Sequence, residues 1–406
     1  MTETISAEVC VIGAGPVGGT LACRLATEGI DTVVVDRAPL PPMEHPAFDG
    51  RAYAIAAGSR RLLELAGLWE RLPEPACPIL DIRVSDGTLG RPASRMFLHF
   101  DYRDAGESAE AFGWMIEARS LRVALNAHLH ELARLRIFAP AIASVERGGE
   151  RVQVRIEGGP LITCRLAVAA EGRESPLRRE ARIPITSFSY NQSGLVFAVS
   201  HERSHRNTAL EHFLPSGPFA QLPMCGTEGA PHVSAIVWTE RDEAAKRLLQ
   251  YEDPALNHEI TRRLGDHLGS VRLIGRRWRY PLSAMHAHRY YDRRLVLVGD
   301  AAHGIHPIAG QGLNLGFRDV AALSRLLIEA VWSGSDSGDP ALLRKYQSRR
   351  RPANLAMLAA TDGLDRLFST GNPLARAARD IGIAAVNRMP PLKRLFTHSA
   401  MGRSLS

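Results

Sequence analysis

Apolar positions along the chain fall into two rhythms. Short unbroken runs, Val9-Cys-Val-Ile12, Thr32-Val-Val-Val35, Leu166-Ala-Val-Ala-Ala170 and Leu295-Val-Leu-Val298, suit strands of a parallel sheet buried on both faces. Elsewhere apolar residues recur at helical spacing: Leu21, Leu25 and Ala26 up to Gly29, Leu62, Leu63 and Leu65 within 59–68, and Leu121, Ala124, Leu125, Leu129, Leu132 and Leu135 within 117–135. Longer helices are predicted over 314–332, 340 to about 369 and 372 to about 388, with a Ser/Gly/Asp link at 333–338. Further strands are predicted at 79–85 and 95–100, paired around Asp86-Gly87, and at 141–146, 152–156 and 161–170. From 183 to 280 strand-like stretches (194–200, 233–239) alternate with polar turns and two helical stretches, 240–250 and 254–268. The pattern predicts an α/β chain in which a mainly antiparallel sheet is inserted into a parallel-sheet domain.

Two of the apolar runs lead into chemistry. The first enters Gly13-Ala-Gly-Pro-Val-Gly18, then a helix, a second strand and Asp36. In such a β-α-β unit the first glycine permits the tight turn, the second lets backbone approach a pyrophosphate, and the third lets helix and strand pack closely. The helix start offers free N–H groups to phosphate, and a carboxylate at Asp36 accepts from ribose hydroxyls. A dinucleotide is therefore expected here, and the acid disfavours a 2′-phosphate. The last apolar run enters Gly299-Asp-Ala-Ala-His-Gly-Ile-His-Pro-Ile-Ala-Gly-Gln-Gly-Leu-Asn-Leu-Gly-Phe-Arg-Asp319, a tight loop with one carboxylate, a Gly/Pro-rich turn and a helix start. Between them Glu171-Gly172 ends a strand ahead of Ser175, a weaker signal because such turns are common. Arg51 follows a proline-rich loop, where a solvated position and a contact to phosphate or ring carbonyl are both open.

Composition narrows the setting. The 406 residues carry a net charge of +7, spread rather than gathered into blocks, which disfavours nucleic acid and leaves a solvated basic surface, an anionic cofactor or a membrane face. The five cysteines are scattered with no CxxC pair, as expected of free thiols in a reducing cytosol. His201, His205, His212, His232, His258 and His267 lack metal-ligand spacing, so no metal is expected. There is no signal-peptide pattern at the start and no apolar run of spanning length, so a cytoplasmic location is expected. The basic, Leu- and Ala-rich helices near the end either dock on the fold or lie on a membrane or partner.

The three motifs together resemble the FAD-dependent aromatic hydroxylases of the p-hydroxybenzoate hydroxylase type. Asp49-Gly-Arg-Ala-Tyr-Ala-Ile55 and the 299–319 stretch are similar to the ubiquinone-biosynthesis hydroxylases (UbiH/UbiF-like) within that group, and the likeness runs over essentially the whole chain. The resemblance implies a Rossmann-like FAD-binding domain of the glutathione-reductase type over 1–75, 101–182 and 276–345, an antiparallel substrate domain over 76–100 and 183–275, and a helical C-terminal region over 346–406. It implies that Gly13, Gly15, Gly18, Asp36 and Arg37 hold the ADP half of FAD, that Arg51, Arg119 and Glu171 lie along the cofactor, that Asp300 binds the ribityl hydroxyls, and that Gly310, Gln311, Gly312, Leu313 and Asn314 face the flavin ring with a helix start. Pro307 packs beside the ring in that picture, with His303 and His306 flanking the loop. For both histidines packing, loop positioning and proton transfer stay open, and no base is assigned. The family has Asp where this chain has Glu171, and many members have Glu where it has Asp36.

The implied reaction uses NADH or NADPH and O2, passes through a flavin C4a-hydroperoxide, and hydroxylates a lipophilic, polyprenylated phenol, at the inner membrane face or within a multi-enzyme quinone-biosynthesis complex. Alternatives are a hydroxylase of another phenol, a flavin reductase acting on prenyl double bonds, and a FAD-binding accessory subunit. Ring position, prenyl length, choice of nicotinamide and oligomeric state are not written in the sequence.

Overall fold

A computed structural model describes residues 3–43, 46–87, 97–105, 110–305 and 311–368. The four unbroken apolar runs lie side by side. The parallel sheet has six strands in the order Tyr291–Asp292, Leu295–Leu297, Leu166–Ala169, Val9–Ile12, Thr32–Val35 and Leu135–Phe138, and only the Tyr291–Asp292 edge is antiparallel. Helices Pro16–Thr27, Ala118–Glu131 and Gln311–Trp332 pack around it, joining Leu21, Leu25, Leu125, Phe317 and Leu323 to Val9, Val11, Val33, Val168 and Leu297 in one core.

The predicted strand 161–170 is two strands. Leu161–Cys164 belongs to a separate four-stranded sheet with Thr4–Ser6, Val152–Ile156 and Ala143–Glu146, and Leu166–Ala169 to the parallel sheet. The burial pattern shows why. The first half buries alternate residues, as in a sheet with one wet face, and the second buries all four. The change falls at Arg165, where the N–H groups of Arg165 and Leu166 both point to the Glu8 carbonyl at 3.0 and 3.3 Å. The helix predicted to reach residue 135 stops at Glu131, because Leu132 turns extended (ψ 115°), and Leu135–Phe138 forms the edge strand. A run as short as Leu135-Arg-Ile-Phe138 cannot be told from a helix end by periodicity alone.

The inserted sheet is larger than the sequence indicates. Eight strands run in the order His303–Gly304, Val271–Ala287, Ile185–His201, Val233–Arg241, Gly217–Met224, Thr208–Leu214, Asp81–Asp86 and Phe97–Asp101. Two of these have 17 residues each and pair with each other through register shifts, the bulges that let so long a ribbon twist. Helices Asp242–Leu249 and Asp253–Leu264 cover one face of this sheet. A fourth sheet, Ala52–Ala56, Gly113–Glu117 and Cys77–Ile79, lies between the two largest ones. All five cysteines are free thiols. Helix Pro340–Phe368 returns along the parallel sheet and donates the Tyr346 hydroxyl to the Leu297 carbonyl at 3.0 Å. The helix predicted over 372–388 lies outside the described residues.

Candidate active site

Four adjacent parallel strands end in the residues singled out by the sequence. Leu295–Leu297 leads to Gly299 and Asp300, Leu166–Ala169 to Glu171, Val9–Ile12 to Gly13, and Thr32–Val35 to Asp36. The carboxyl ends of parallel strands are where such sheets bind ligands, because turns and helix starts gather there.

The three glycines of the first turn do different jobs. Gly13 has φ +102°, and a Cβ on it would sit 2.5 Å from the Ala170 carbonyl oxygen. A Cβ on Gly18 would lie 2.0 Å from the Gly13 carbonyl oxygen, so helix and strand touch through that position. A Cβ on Gly15 would meet nothing within 4 Å, and Gly15 is the N-cap of helix Pro16–Thr27 with no side chain capping it. Open space before an uncapped helix start fits a diphosphate. Asp36 accepts from the Ala14 N–H at 2.6 Å and from the Ala38 N–H at 2.8 Å, so it holds the glycine turn in shape, and a carboxylate has lone pairs left for a ribose. Arg37 is exposed beside it.

Glu171 turns its carboxylate to the next helix. Its Oε2 accepts from the Ser175 hydroxyl at 2.6 Å and the Leu177 N–H at 3.2 Å, while Ser175 caps helix Pro176–Glu180. Burial pushes the Glu171 carboxyl up, against these two hydrogen bonds. Glu171→Ala is therefore expected to cost roughly 1 kcal/mol of stability, the usual size of a lost helix cap. Thermal unfolding measures it, and a loss of FAD larger than the loss of stability would assign Glu171 to the cofactor instead. Two arginines of the same turn reach across the fold: Arg173 to the Ser283 carbonyl at 3.2 Å and Arg178 to the Ala301 carbonyl at 3.0 Å.

Asp300 is exposed on the short turn Gly299–Ala301 and faces a 320 Å³ cleft. Val196, Val237, Tyr280 and Leu282 of the large sheet form the opposite wall. A larger cavity of 690 Å³ lies among Arg83, Arg203, Arg206 and His267, on the sheet face turned away from Asp300, and no described residue of the three motifs lines it. Arg51 pairs with Asp49 at 2.6 Å and lies 4.4 Å over the Trp278 ring, and the Trp278 indole donates to the Asp49 carbonyl at 2.8 Å. Arg119 is held by Glu117, by the Pro46 carbonyl and by Glu74 at 3.6 Å, with Phe48 beneath it at 5.5 Å. Both cations are thus anchored by acids and aromatic rings.

His306, Pro307 and Gly310 lie outside the described residues. Gln311 opens helix Gln311–Trp332, Gly312 has no atom within 4 Å of where a Cβ would be, and Leu313 packs on the core. The Asn314 side chain accepts from the Ala56 N–H at 2.9 Å and donates to the Ala54 carbonyl at 2.8 Å, clipping the helix start to strand Ala52–Ala56. His303 does not line the cleft. It is 1% exposed, with Nε2 2.6 Å from Asp319 Oδ2.

Asp319 is the hub that sequence reading left unassigned. Its Oδ2 also accepts from the Gly299 N–H at 3.1 Å, and its Oδ1 takes Arg350 at 2.7 Å and Asn354 at 3.1 Å. Asn354 continues to the Tyr290 hydroxyl at 3.3 Å, and Tyr290 to His286 at 3.1 Å. Burial alone would raise the Asp319 carboxyl, but His303 and Arg350 outweigh it and bring it down to about 2. Arg350 is hidden in the sequence within Arg349-Arg-Arg351, a run that reads as solvated charge. The only sequence signal was Asp319 itself, an acid inside an otherwise apolar helix face.

A dinucleotide turn, an exposed carboxylate on a second strand end, and a large antiparallel sheet facing both across a cleft are the parts of a FAD-dependent monooxygenase. The FAD binding domain family matches residues 6–361, and the chain belongs to that family. Ubiquinone hydroxylase UbiL of Rhodospirillum rubrum is 47% identical over 98% of this chain and 90% of its own length. The 3-demethoxyubiquinol 3-hydroxylase of Escherichia coli is 30% identical over 97% and 98%. Among solved structures, p-nitrophenol 4-monooxygenase PnpA of Pseudomonas putida shares the fold with a TM-score of 0.78 at 18% identity, covering 98% of each chain.

Proposed function

We propose that this chain hydroxylates the aromatic ring of a polyprenylated phenol on the route to ubiquinone. The carrying observation is the 47% identity, over 98% of the chain, to a protein named ubiquinone hydroxylase. The cleft agrees with that reading, since an apolar wall of Val196, Val237 and Leu282 stands opposite Asp300. FAD, when bound, supplies electron transfer from the nicotinamide and activation of O2. The chain's own residues do the rest. The Gly13–Gly18 turn and its helix start hold the diphosphate, Asp36 the ribose, and Asp300 the ribityl chain. The N–H groups at the start of helix Gln311–Trp332 favour negative charge on the flavin ring. The apolar strand face keeps water from the reacting carbon.

A prenyl tail keeps the substrate in the bilayer, so the protein works as a peripheral enzyme at the membrane surface, beside the other enzymes that use the same pool. Among the described residues no helix is long and apolar enough to cross a membrane. The test is mass spectrometry of quinone intermediates from a deletion strain and from a complemented strain grown under ¹⁸O2. An under-hydroxylated prenylphenol accumulates in the first, and the complemented product carries one labelled ring oxygen. Unchanged quinones in the deletion strain would sink the reading.

A further inference from the structure

The two faces of the large sheet have different occupants. One carries Leu195, Phe197, Phe219, Ile236 and Trp238 against the covering helices. The other turns toward the cofactor half, and register fixes a row across it. Val196 opposes Val237, Val237 opposes Ala220, Ala220 opposes Glu211, and Glu211 opposes Val84. Directly opposed residues share a face, so Glu211 lies on the same side as Val196 and Val237, which line the cleft beside Asp300. Two strand spacings separate Glu211 from Val237, roughly 10 Å.

A carboxyl is out of place there. Glu211 is 9% exposed, its neighbours along the strand on that face are the buried Ala209 and Phe213, and its cross-strand neighbours are Ala220 and Val84. Among the described residues no group hydrogen-bonds the carboxyl and no charged side chain acts on it, and burial alone pushes it up to about 7. Buried ionisable groups are normally paired, because an unpaired charge is costly to desolvate. Glu211 does not itself line the 320 Å³ cleft; the row Val237, Ala220, Glu211 leads from the cleft to it, and a ligand that follows the row past Ala220 meets an acid with no other partner among the described residues.

We propose that Glu211 receives the ring hydroxyl of the substrate, first as a hydrogen bond and then as a proton. The inference rests on the phenol-hydroxylase reading and deepens it by naming the acceptor. The phenol O–H bond breaks, an Oε–H bond forms on Glu211, and the electron pair stays on the phenolate oxygen, from which it enriches the ring carbons ortho and para to it. No oxidant or reductant takes part. After product release the proton passes to water and the carboxylate is restored. A free phenol keeps its proton to about pH 10, and an acceptor raised by burial meets it more closely than a carboxylate in water. The row also orients the ring, with the hydroxyl at Glu211 and the ring carbons beyond it over Ala220, on the side toward Val237 and Asp300.

The test uses the full-length, FAD-loaded protein with two probes, a geranyl-substituted phenol and a demethoxyubiquinol bearing the same tail. Glu211→Gln keeps the shape and removes the acceptor, and FAD content together with thermal unfolding confirms that it folds. The expected result is a roughly 10²- to 10⁴-fold fall in hydroxylation rate, the usual span for a lost general base. The native rate falls as pH drops through the range in which Glu211 takes up a proton, and the variant loses that dependence. Glu211→Asp recovers part of both. The inference is overturned if Glu211→Gln hydroxylates within a factor of about two to three of the native protein and keeps the native pH dependence. If the native protein hydroxylates neither probe, the functional reading itself fails and takes the inference with it. A native protein that works, beside a variant that works equally well, removes Glu211 alone.

Discussion

Asp319→Ala is expected to leave a protein that unfolds early and does not retain FAD. The carboxylate is fully buried and serves His303, Arg350, Asn354 and the Gly299 N–H at once. Removing it leaves a buried guanidinium without its counter-charge, held only by Asn354 at 2.6 Å, and frees the turn that presents Asp300. Breaking a buried pair from one side costs about 3–5 kcal/mol, against a total stability of about 5–15 kcal/mol. Thermal unfolding and FAD content after gel filtration measure the two effects, and a melting temperature within about 2 °C of the native protein would contradict the expectation. The hub also sets an acid limit. Its folded pKa of about 2 lies below the ordinary 3.8, so the contribution is complete above pH 3.8 and is lost as pH falls through 2. The difference amounts to roughly 2 kcal/mol. Asp319→Asn, which has no charge to lose, flattens that part of the stability–pH curve.

The second large effect separates two kinds of glycine. Gly18→Ala sets a methyl group 2.0 Å from a backbone oxygen, which no side-chain movement relieves, so helix Pro16–Thr27 must back away from the turn. The expected cost is roughly 1–3 kcal/mol of stability, with FAD binding weakened at least about a hundredfold, or near 2.8 kcal/mol. Gly15→Ala meets nothing within 4 Å, so the protein without cofactor folds as before, while the methyl occupies the approach of the diphosphate. The expected signature is native stability without FAD and reduced affinity for it. Fluorescence titration of FAD and unfolding of the stripped protein decide the matter. Equal loss of stability in the two variants would refute the distinction.

Much of this architecture is legible in the residues, and the boundary has physical reasons. The parallel strands are plain because burial on both faces leaves unbroken apolar runs such as Val9-Cys-Val-Ile12. The glycine turn is plain because only glycine fits at Gly13 and Gly18. The break at Arg165 is not, since one apolar run serves two sheets and the change of partner is a matter of tertiary contact. The Asp319 network is not legible either. Its members lie at 286, 290, 303, 319, 350 and 354, with no fixed spacing, and Arg350 looks like surface charge until the fold buries it to 8% exposure. Glu211 is hidden for a related reason. In Thr208–Leu214 a lone acid reads as a wet position, and only the register shows that it faces inward.

The Asn314 clip has a consequence for how the protein comes into being. It joins residues 258 and 260 positions apart in the chain, and Asp319 adds partners as late as Asn354. Contacts of such long range form late, because loop closure must come first. During synthesis, which proceeds from the N-terminus, the Gly13–Gly18 turn emerges early with half a site, and the flavin side of the pocket waits for helix Pro340–Phe368. Cofactor capture is thus a late event in the life of the nascent chain.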